Sequence, residues 1–286
     1  MNFAEAVRAI EEADVFAELS NGHAGAAFVD PADAYRKLSK IVHPDAAPAA
    51  LGATATQAFA KLSALWANRA TTAVAAGDIA DLHAVDGGLL KVPRSHADND
   101  LMEAEAAALR TLWTDGDPRH RAYAPRLIES VTRRDGRVVN KLQRLHGFLT
   151  LAEVLRRRPG GIDPRDAAWI WRRLLVALGW AHRAGLVHGA VLPAHVLIHP
   201  TEHGVVLVDW CYAVRTGNRI PALVAEHRAD YPPEIPHVTA ATDIYMATVL
   251  MGRLIENKPK PVQRFLDGCL YDAPRMRPHD AWALLA

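Results

Sequence analysis

The stretch that decides the fold of the N-terminal part is Ala34-Tyr35-Arg36-Lys37-Leu38-Ser39-Lys40-Ile41-Val42-His43-Pro44-Asp45. Wound as a helix, it places Ala34, Leu38 and Ile41 on one face and three basic residues on another. Pro44 ends the helix, because the residue before a proline is pushed out of helical geometry. The stretch therefore predicts an amphipathic helix that stops at a His-Pro-Asp turn.

A second helix is predicted on the far side of this turn. After an Ala/Pro/Gly loop at residues 46–52, the chain places Phe59, Leu62 and Trp66 on one side of a helix. On the near side, Asp30-Pro31 marks the start of the first helix, since aspartate caps a helix and proline suits its first turn. The first block, residues 1–69, is therefore expected to be an all-α domain.

This block resembles a DnaJ-type J domain, the co-chaperone module that stimulates DnaK-type ATPases. The resemblance covers about residues 13–69 and rests on His43-Pro44-Asp45 together with the two helices around it. It implies that this turn triggers hydrolysis in the partner and that Arg36, Lys37 and Lys40 meet an acidic patch there. Charged faces of this kind mainly steer encounter and set specificity.

Two other interpretations of the first block stay open. Pro44 and Asp45 are turn residues in any helical hairpin, so the turn alone is weak evidence. In addition, the loop at residues 46–51 is apolar, where J domains usually carry charge. A J-like domain kept only as a docking surface would also carry this sequence.

The second block, residues 71–286, begins with strands, the clearest at residues 89–92. The helix after this strand has apolar residues at intervals of four, three and four, namely Met102, Ala106, Leu109 and Trp113. Glu105 is predicted at the edge of this apolar face. A carboxylate there requires a cationic partner, because burying an unpaired charge is costly.

The C-terminal part of the second block predicts a helix followed by a hairpin. Asp163-Pro164 starts a long helix that ends near Gly185. Residues 196–198 and 205–208 are expected to form a hairpin around a His/Pro/Gly turn, with Asp209 directly after it. With an all-α first block and this mixed second block, the expected fold class is α+β.

The second block resembles the protein-kinase fold over essentially its whole length. The resemblance implies a compact two-lobed domain, with an N-lobe at about residues 71–145 and a C-lobe at about 146–286. Its landmarks occur in the kinase order, which is more specific than any one of them. They are Lys91, Glu105, the 186–197 segment with His188, Ala190 and His195, then Asp209-Trp210-Cys211, Tyr231-Pro232-Pro233-Glu234, Asp243 and Arg277.

The resemblance also implies roles for these residues. Lys91 pairs with ATP phosphates, Glu105 holds that lysine, and Asp209 binds the metal, so ATP with Mg²⁺ is the implied cofactor. An ordinary ion pair, or a buried ion network that only joins the lobes, is the alternative for these three residues. The implied structural residues are Asp243, at a buried helix start, and Glu234 and Arg277, which form a salt bridge.

The catalytic loop departs from the kinase pattern. Active kinases carry an aspartate that accepts the substrate proton, and here Ala190 stands in its place. His195 replaces the asparagine that holds a second magnesium, and imidazole is a poor ligand for that hard cation. Leu192 replaces a lysine that contacts phosphate. Residues 74–83 stand where the glycine-rich loop belongs and contain one glycine instead of three. We therefore expect no catalytic residue among His188, Ala190 and His195.

Taken together, these features predict a J-domain pseudokinase that acts as an adaptor. It would recruit or stimulate a DnaK-type chaperone and recognise a protein client or a nucleotide through the second domain. The alternatives are an atypical ATP-dependent Ser/Thr kinase that uses Asp209 with a surrogate base, and a purely structural interaction protein. The clustered histidines make a zinc site conceivable, although a core role for His188 is the preferred interpretation.

Composition limits the compartments and partners. The 286 residues carry a formal net charge of +1, which gives no reason to expect nucleic-acid or membrane binding. Cys211 and Cys269 are too few for a disulfide framework and are expected to be reduced thiols. The first residues lack the apolar run of a signal peptide, and no stretch approaches the roughly 20 apolar residues of a membrane helix. We therefore expect a cytoplasmic protein.

Overall fold

The computed structural model describes residues 1–13, 16, 19, 31–67, 73–85 and 87–285, which form a mixed α+β structure. The chain divides into two compact units. The first contains Met1–His96 and Val131–Val139, and the second contains Ala97–Ser130 and Asn140–Ala286. The domain boundaries expected near residues 69 and 145 stay predictions.

The first unit opens with three helices. They are α1 (Phe3–Glu12), α2 (Pro31–Val42) and α3 (Gly52–Ala67), and short 3-10 turns at Pro44–Ala46 and Ala49–Leu51 join the last two. A capping box starts α1, because the Asn2 side chain accepts the Glu5 amide and the Glu5 carboxylate accepts the Asn2 amide, both at 2.9 Å. As predicted, α2 stops two residues before Pro44.

The three helices pack around one apolar core. Ile10 of α1, Leu38 of α2 and Leu62 of α3 are fully buried in it, and burial of each side chain contributes about 2 kcal/mol. Aromatic rings close one end, where Tyr35 stacks on Trp66 with ring centroids 4.6 Å apart. Of the predicted faces, Ala34, Leu38 and Leu62 are buried in this core, whereas Ile41, Phe59 and Trp66 are half-buried against it. Val42 and Ala58, which were not predicted, complete the buried faces of α2 and α3.

Cations satisfy the C-terminal end of α1. The Lys61 ammonium donates to the Glu11 carbonyl at 2.7 Å, and the Arg133 guanidinium donates to the Glu12 carbonyl. The last carbonyls of a helix lack partners within it, and positive charge there is favourable. Because Arg133 belongs to the sheet-forming part of the chain, this contact ties the helices of the first unit to that part.

Five strands form the main sheet. They are β1 (Ala73–Ala76), β2 (Ala80–Val85), β3 (Gly88–Pro93), β4 (Leu127–Thr132) and β5 (Val138–Leu142), in the spatial order β1-β2-β3-β5-β4. The β2 and β3 strands pair antiparallel from Ala80 opposite Pro93 to Val85 opposite Gly88. Gly87 makes the turn between them with a φ of 72°, a left-handed conformation that glycine adopts without strain.

The second unit is mainly helical. Its helices are α4 (Asn99–Thr114), α5 (Leu151–Arg157), α6 (Pro164–Arg183), α7 (Ala240–Leu254) and α8 (Lys260–Cys269). Short strands complete it, namely β6 (Leu149–Thr150), β7 (Leu186–Val187), β8 (Val196–His199), β9 (Gly204–Leu207) and β10 (Val214–Arg215). As predicted, α6 begins after an Asp163 cap and β8 pairs with β9 in an antiparallel hairpin.

The apolar face of α4 differs in detail from the predicted one. Leu112 is fully buried, while Trp113 is half-buried. Two guanidinium groups lie over the Trp113 ring, with Cζ of Arg121 4.7 Å and Cζ of Arg126 5.4 Å from its centroid. These cation–π contacts suit a ring at the rim of a core rather than in its centre. Glu105 lies inside the buried face, not at its edge, and is 1% exposed.

Among the residues that the structure describes, no helix is long and apolar enough to span a membrane.

Candidate functional site

The first candidate surface lies on α2 and the turn after it. Burial of Ala34, Leu38 and Val42 turns the opposite side of α2 outward, and this side carries the basic face, defined as Arg36, Lys37 and Lys40. All three residues are exposed. Arg36 also contacts Asp33 at 2.6 Å, an exposed pair of the kind that contributes little to stability.

The HPD turn, defined as His43-Pro44-Asp45, follows directly at the end of α2. His43 leaves helical geometry with φ −64° and ψ 131°, and its Nδ1 accepts the Asp45 amide at 3.2 Å. The His43 ring packs edge-on against Phe59 of α3, with centroids 5.0 Å apart. The Asp45 side chain is 92% exposed. The turn is therefore fixed at its histidine and offers its carboxylate to solvent.

A second candidate site surrounds the 188–195 loop, which connects β7 to β8. Asp243, in the first turn of α7, is fully buried and holds the start of this loop. Its carboxylate oxygens accept the amides of His188 and Gly189 at 2.8 and 2.9 Å. His182 lies 2.8 Å from the same carboxylate. One buried carboxylate thus contacts three polar groups, namely two backbone amides of the loop and the His182 ring.

His188 is a buried neutral histidine. Its Nε2 donates to the Val208 carbonyl at 2.9 Å and its Nδ1 accepts the Ala190 amide at 3.3 Å. Burial lowers the pKa of His188 from 6.5 to about 4, since a cationic ring loses its hydration there. Both ring nitrogens therefore brace the loop, in agreement with the core role preferred from the sequence.

His195 connects the loop to Asp209. Its Nδ1 lies 2.8 Å from the Ala190 carbonyl, and its Nε2 lies 3.5 Å from an Asp209 carboxylate oxygen. The His195 ring is 2% exposed and stacks on Tyr212, with centroids 5.9 Å apart. Asp209 follows β9 with φ 61°, in the left-handed region. The structure thus brings Asp209 and His195 together, a contact that was not predicted from the sequence.

Lys91 and Glu105 are both buried, Lys91 on β3 of the first unit and Glu105 on α4 of the second. Glu105 accepts a hydrogen bond of 2.9 Å from the Asn140 amide, which also donates to the Met102 carbonyl at 2.9 Å. Asn140 was not predicted from the sequence, because it lies 35 residues from Glu105 and belongs to no motif. The predicted pairing of Lys91 with Glu105 stays a prediction.

The turn between β1 and β2 stands where the glycine-rich loop was expected, and Arg94 clamps it. The Arg94 guanidinium donates to the carbonyls of Gly77 and Asp78, the second at 2.8 Å, and to the Asp81 carboxylate at 3.1 Å. The Gly77 amide bonds the Ala80 carbonyl at 2.8 Å. The Gly77 amide is therefore used within the turn itself and is not directed at a phosphate.

Glu234 and Arg277 form a two-point ion pair. The Arg277 nitrogens lie 2.6 and 3.0 Å from the two carboxylate oxygens of Glu234. Thr242 also donates to Glu234 at 3.1 Å, and the Arg277 guanidinium lies 4.5 Å above the Tyr245 ring. The Arg277 side chain is fully buried. This pair fixes the segment before α7 to the segment after α8.

One side chain beside Asp209 is a poor ligand for magnesium. Mg²⁺ prefers a near-ideal octahedron of oxygen ligands, whereas the ring that lies 3.5 Å from this carboxylate is the His195 imidazole. Across the described ranges of the chain, no group of three or more His, Cys, Asp or Glu side chains is arranged to hold a metal ion. A scan against known protein families finds no family model that matches this chain.

Proposed function

We propose that the protein is a cytoplasmic co-chaperone adaptor, in which a J-like helical domain recruits a DnaK-type chaperone and a two-lobed kinase-like domain recognises a protein client. One observation carries this proposal: the basic face of α2 is exposed and its last member, Lys40, lies only three residues before the HPD turn, whose Asp45 is also exposed. A partner with an acidic patch can therefore contact both features at once, and charge complementarity of this kind speeds encounter.

The fixed backbone of the HPD turn supports a role in binding the chaperone. Pro44 and the bond from the Asp45 amide to His43 fix the backbone, so little ordering entropy is lost when a partner binds. The Asp45 carboxylate stays in solvent, where it costs nothing to keep charged.

The second site supports an adaptor over an enzyme. Ala190 and Leu192 are buried and apolar at positions where a phosphotransferase needs a proton acceptor and a cation. His195 uses a ring nitrogen on the Ala190 carbonyl of the same loop, and His188 uses one on the Val208 carbonyl after β9. The loop is thus built to be rigid, and we assign it to the scaffold that presents a client surface.

Binding of a DnaK-type chaperone from the host tests the proposal. The basic-face variant Arg36→Glu/Lys37→Glu/Lys40→Glu should bind the chaperone at least about 10-fold more weakly, with the loss mainly in the association rate. The matched control, Arg156→Glu/Arg157→Glu/Arg158→Glu, changes net charge equally on another exposed surface and should bind within about 3-fold of wild type. Equal weakening by both variants, or no binding by the wild type, would reject the proposal.

A further inference from the structure

Two arginine side chains converge on one indole ring in the second unit. The Trp113 cluster, defined as Trp113, Arg121 and Arg126, lies between the end of α4 and the start of β4. Both guanidinium carbons are within 5.4 Å of the Trp113 ring centroid. Their positive charges can therefore act on one ligand, since salt at 0.1 M screens charges only over about 10 Å. Contact with the ring also restricts the conformations of the two arginine side chains.

The Trp113 cluster is rich in hydrogen-bond donors and short of acceptors. Nη2 of Arg121 donates to the Trp113 carbonyl at 2.6 Å. The Arg121 Nε and the Trp113 Nε1 are both buried, and no group in the described part of the chain accepts a hydrogen bond from either. Among the same residues, no carboxylate lies at ion-pairing distance from Arg121 or Arg126. Because buried donors usually have an acceptor, this place suits a ligand that brings oxyanion oxygens.

The positive charge around the Trp113 cluster is local. Arg173 of α6 is exposed and donates to the Tyr123 hydroxyl at 3.3 Å, which adds a third arginine to the segment that carries the cluster. The segment directly after α4 carries two acids, since Asp115 is exposed and Asp117 pairs with Arg119 at 2.6 Å. A nucleic acid requires cations along many phosphates. A few arginines beside acidic residues suit a short anionic segment better.

We propose that the Trp113 cluster binds oxyanion groups on an acidic segment of the protein client. The inference rests on the proposed function and adds the chemistry of the client to it. A guanidinium group binds two oxygens of a carboxylate or phosphate through parallel hydrogen bonds. Because the ring already holds both arginines, less side-chain entropy is lost on binding. Alternate residues of an extended segment face the same way at a spacing of about 7 Å, so one segment can present an oxyanion to each arginine.

Fluorescence anisotropy with a labelled peptide of alternating glutamate and serine tests the proposal on the full-length protein. The wild type should bind this peptide, and Arg121→Gln/Arg126→Gln should bind it at least about 10-fold more weakly. The matched control, Arg156→Gln/Arg157→Gln, removes the same charge from the exposed end of α5 and should bind within about 3-fold of wild type. Equal weakening by both variants, or no binding by the wild type, would overturn the proposal.

Arg126→Gln alone provides a test that leaves the buried part of the cluster in place. Arg126 is exposed, so its melting temperature should stay within about 3 °C of wild type. Its affinity for the glutamate peptide should fall by roughly 3- to 10-fold, because one of the two guanidinium groups remains. An unchanged affinity in this folded variant would contradict the proposal.

Two further peptides identify the oxyanion. A peptide with glutamine in place of glutamate should not bind, and binding as tight as that of the glutamate peptide would overturn the proposal. A peptide with phosphoserine in place of glutamate separates the two sources of oxyanion. Tighter binding that is lost in Arg121→Gln/Arg126→Gln would support phosphorylated segments as the ligand, and weaker binding would support carboxylates.

The peptide assay and the chaperone assay can fail separately. Peptide binding that depends on Arg121 and Arg126, in a protein that binds no DnaK-type chaperone, would reject the proposed function and keep the Trp113 cluster as a site for acidic segments. Chaperone binding that depends on the basic face, together with peptide binding that does not depend on Arg121 and Arg126, would reject this inference alone.

Discussion

A histidine ring bonds the backbone in both the HPD turn and the 188–195 loop. The two regions differ in where their carboxylates lie, which is in solvent for the turn and in the interior for the loop. In the HPD turn, the Asp45 carboxylate points to solvent and the basic face beside it is exposed. In the 188–195 loop, the carboxylate of Asp243 is fully buried and bonds the backbone of the loop itself. The charges of the HPD turn and the basic face are therefore accessible to another molecule, whereas the Asp243 carboxylate stabilises the backbone of the loop.

This difference determines how each region responds to substitution. An exposed charge keeps its hydration when its neighbour is removed, so stability changes little and only binding suffers. A buried charge or amide that loses its partner keeps the whole cost of desolvation. We therefore expect changes in the 188–195 loop and its supports to act on stability, and changes at the HPD turn to act on chaperone contact.

The largest effect is expected at Asp243. Asp243→Ala leaves the amides of His188 and Gly189 buried without acceptors, and it also removes the partner of His182. The free energy of unfolding should fall by about 4 kcal/mol, measured by urea denaturation with fluorescence detection. Asp166→Ala is the control, since this exposed acid also lies in the first turn of a helix. If Asp243→Ala lowers the free energy of unfolding no more than Asp166→Ala does, the buried carboxylate does not stabilise the loop and the contrast between the two regions is wrong.

The next effect is a pH dependence that depends on His188. Burial lowers the pKa of His188 to about 4 in the folded chain, against 6.5 for an ordinary histidine. The unfolded chain therefore takes up a proton below pH 6.5 that the folded chain refuses. Stability from this group is complete above pH 6.5 and is lost as the pH falls towards 4, by up to about 3 kcal/mol.

Urea denaturation at several pH values between 7.5 and 4.5 measures this loss. The other histidines titrate as well, so the informative quantity is the difference between wild type and His188→Gln, which retains a donor and an acceptor but cannot titrate. The stability of His188→Gln should fall less steeply with acid. Equal slopes for the two proteins would show that the ring of His188 is not held neutral by burial.

A smaller effect is expected at Arg277. Arg277→Lys should cost about 2 kcal/mol, because an ammonium group cannot bind both oxygens of Glu234 and cover the Tyr245 ring at once. Arg183→Lys sharpens the comparison, since Arg183 also pairs with a carboxylate, that of Asp280, and lies 3.8 Å above the Trp282 ring, but is half-exposed. We expect a loss below about 1 kcal/mol there. Similar losses at both positions would mean that burial does not set the cost.

The elements that sequence predicted best are those with local causes. The end of α2 follows from Pro44, and the start of α6 follows from Asp163 and the proline after it. The β8–β9 hairpin follows from two short apolar runs around a turn. In each case the residues that start or end the element lie within a few positions of it, so the local sequence is enough to predict the element.

The parts that sequence did not predict depend on distant partners. Glu105 was expected at the edge of the apolar face of α4, yet it is buried and accepts a hydrogen bond from Asn140, 35 residues away. The Arg94 clamp on the β1–β2 turn and the contact of His195 with Asp209 likewise join residues from different elements. Periodicity shows which face of a helix is apolar, but it does not reveal which polar side chain from elsewhere satisfies a buried charge.

The central claim is that the HPD turn acts on a chaperone, and the ATPase rate of a DnaK-type chaperone from the host tests it most directly. His43→Gln removes the ring at the turn, and His43 is partly exposed, so the melting temperature should stay within about 2 °C of wild type. Wild type should raise the steady-state ATPase rate, and His43→Gln should not. Absence of stimulation by the wild type, or equal stimulation by both proteins, would contradict the account.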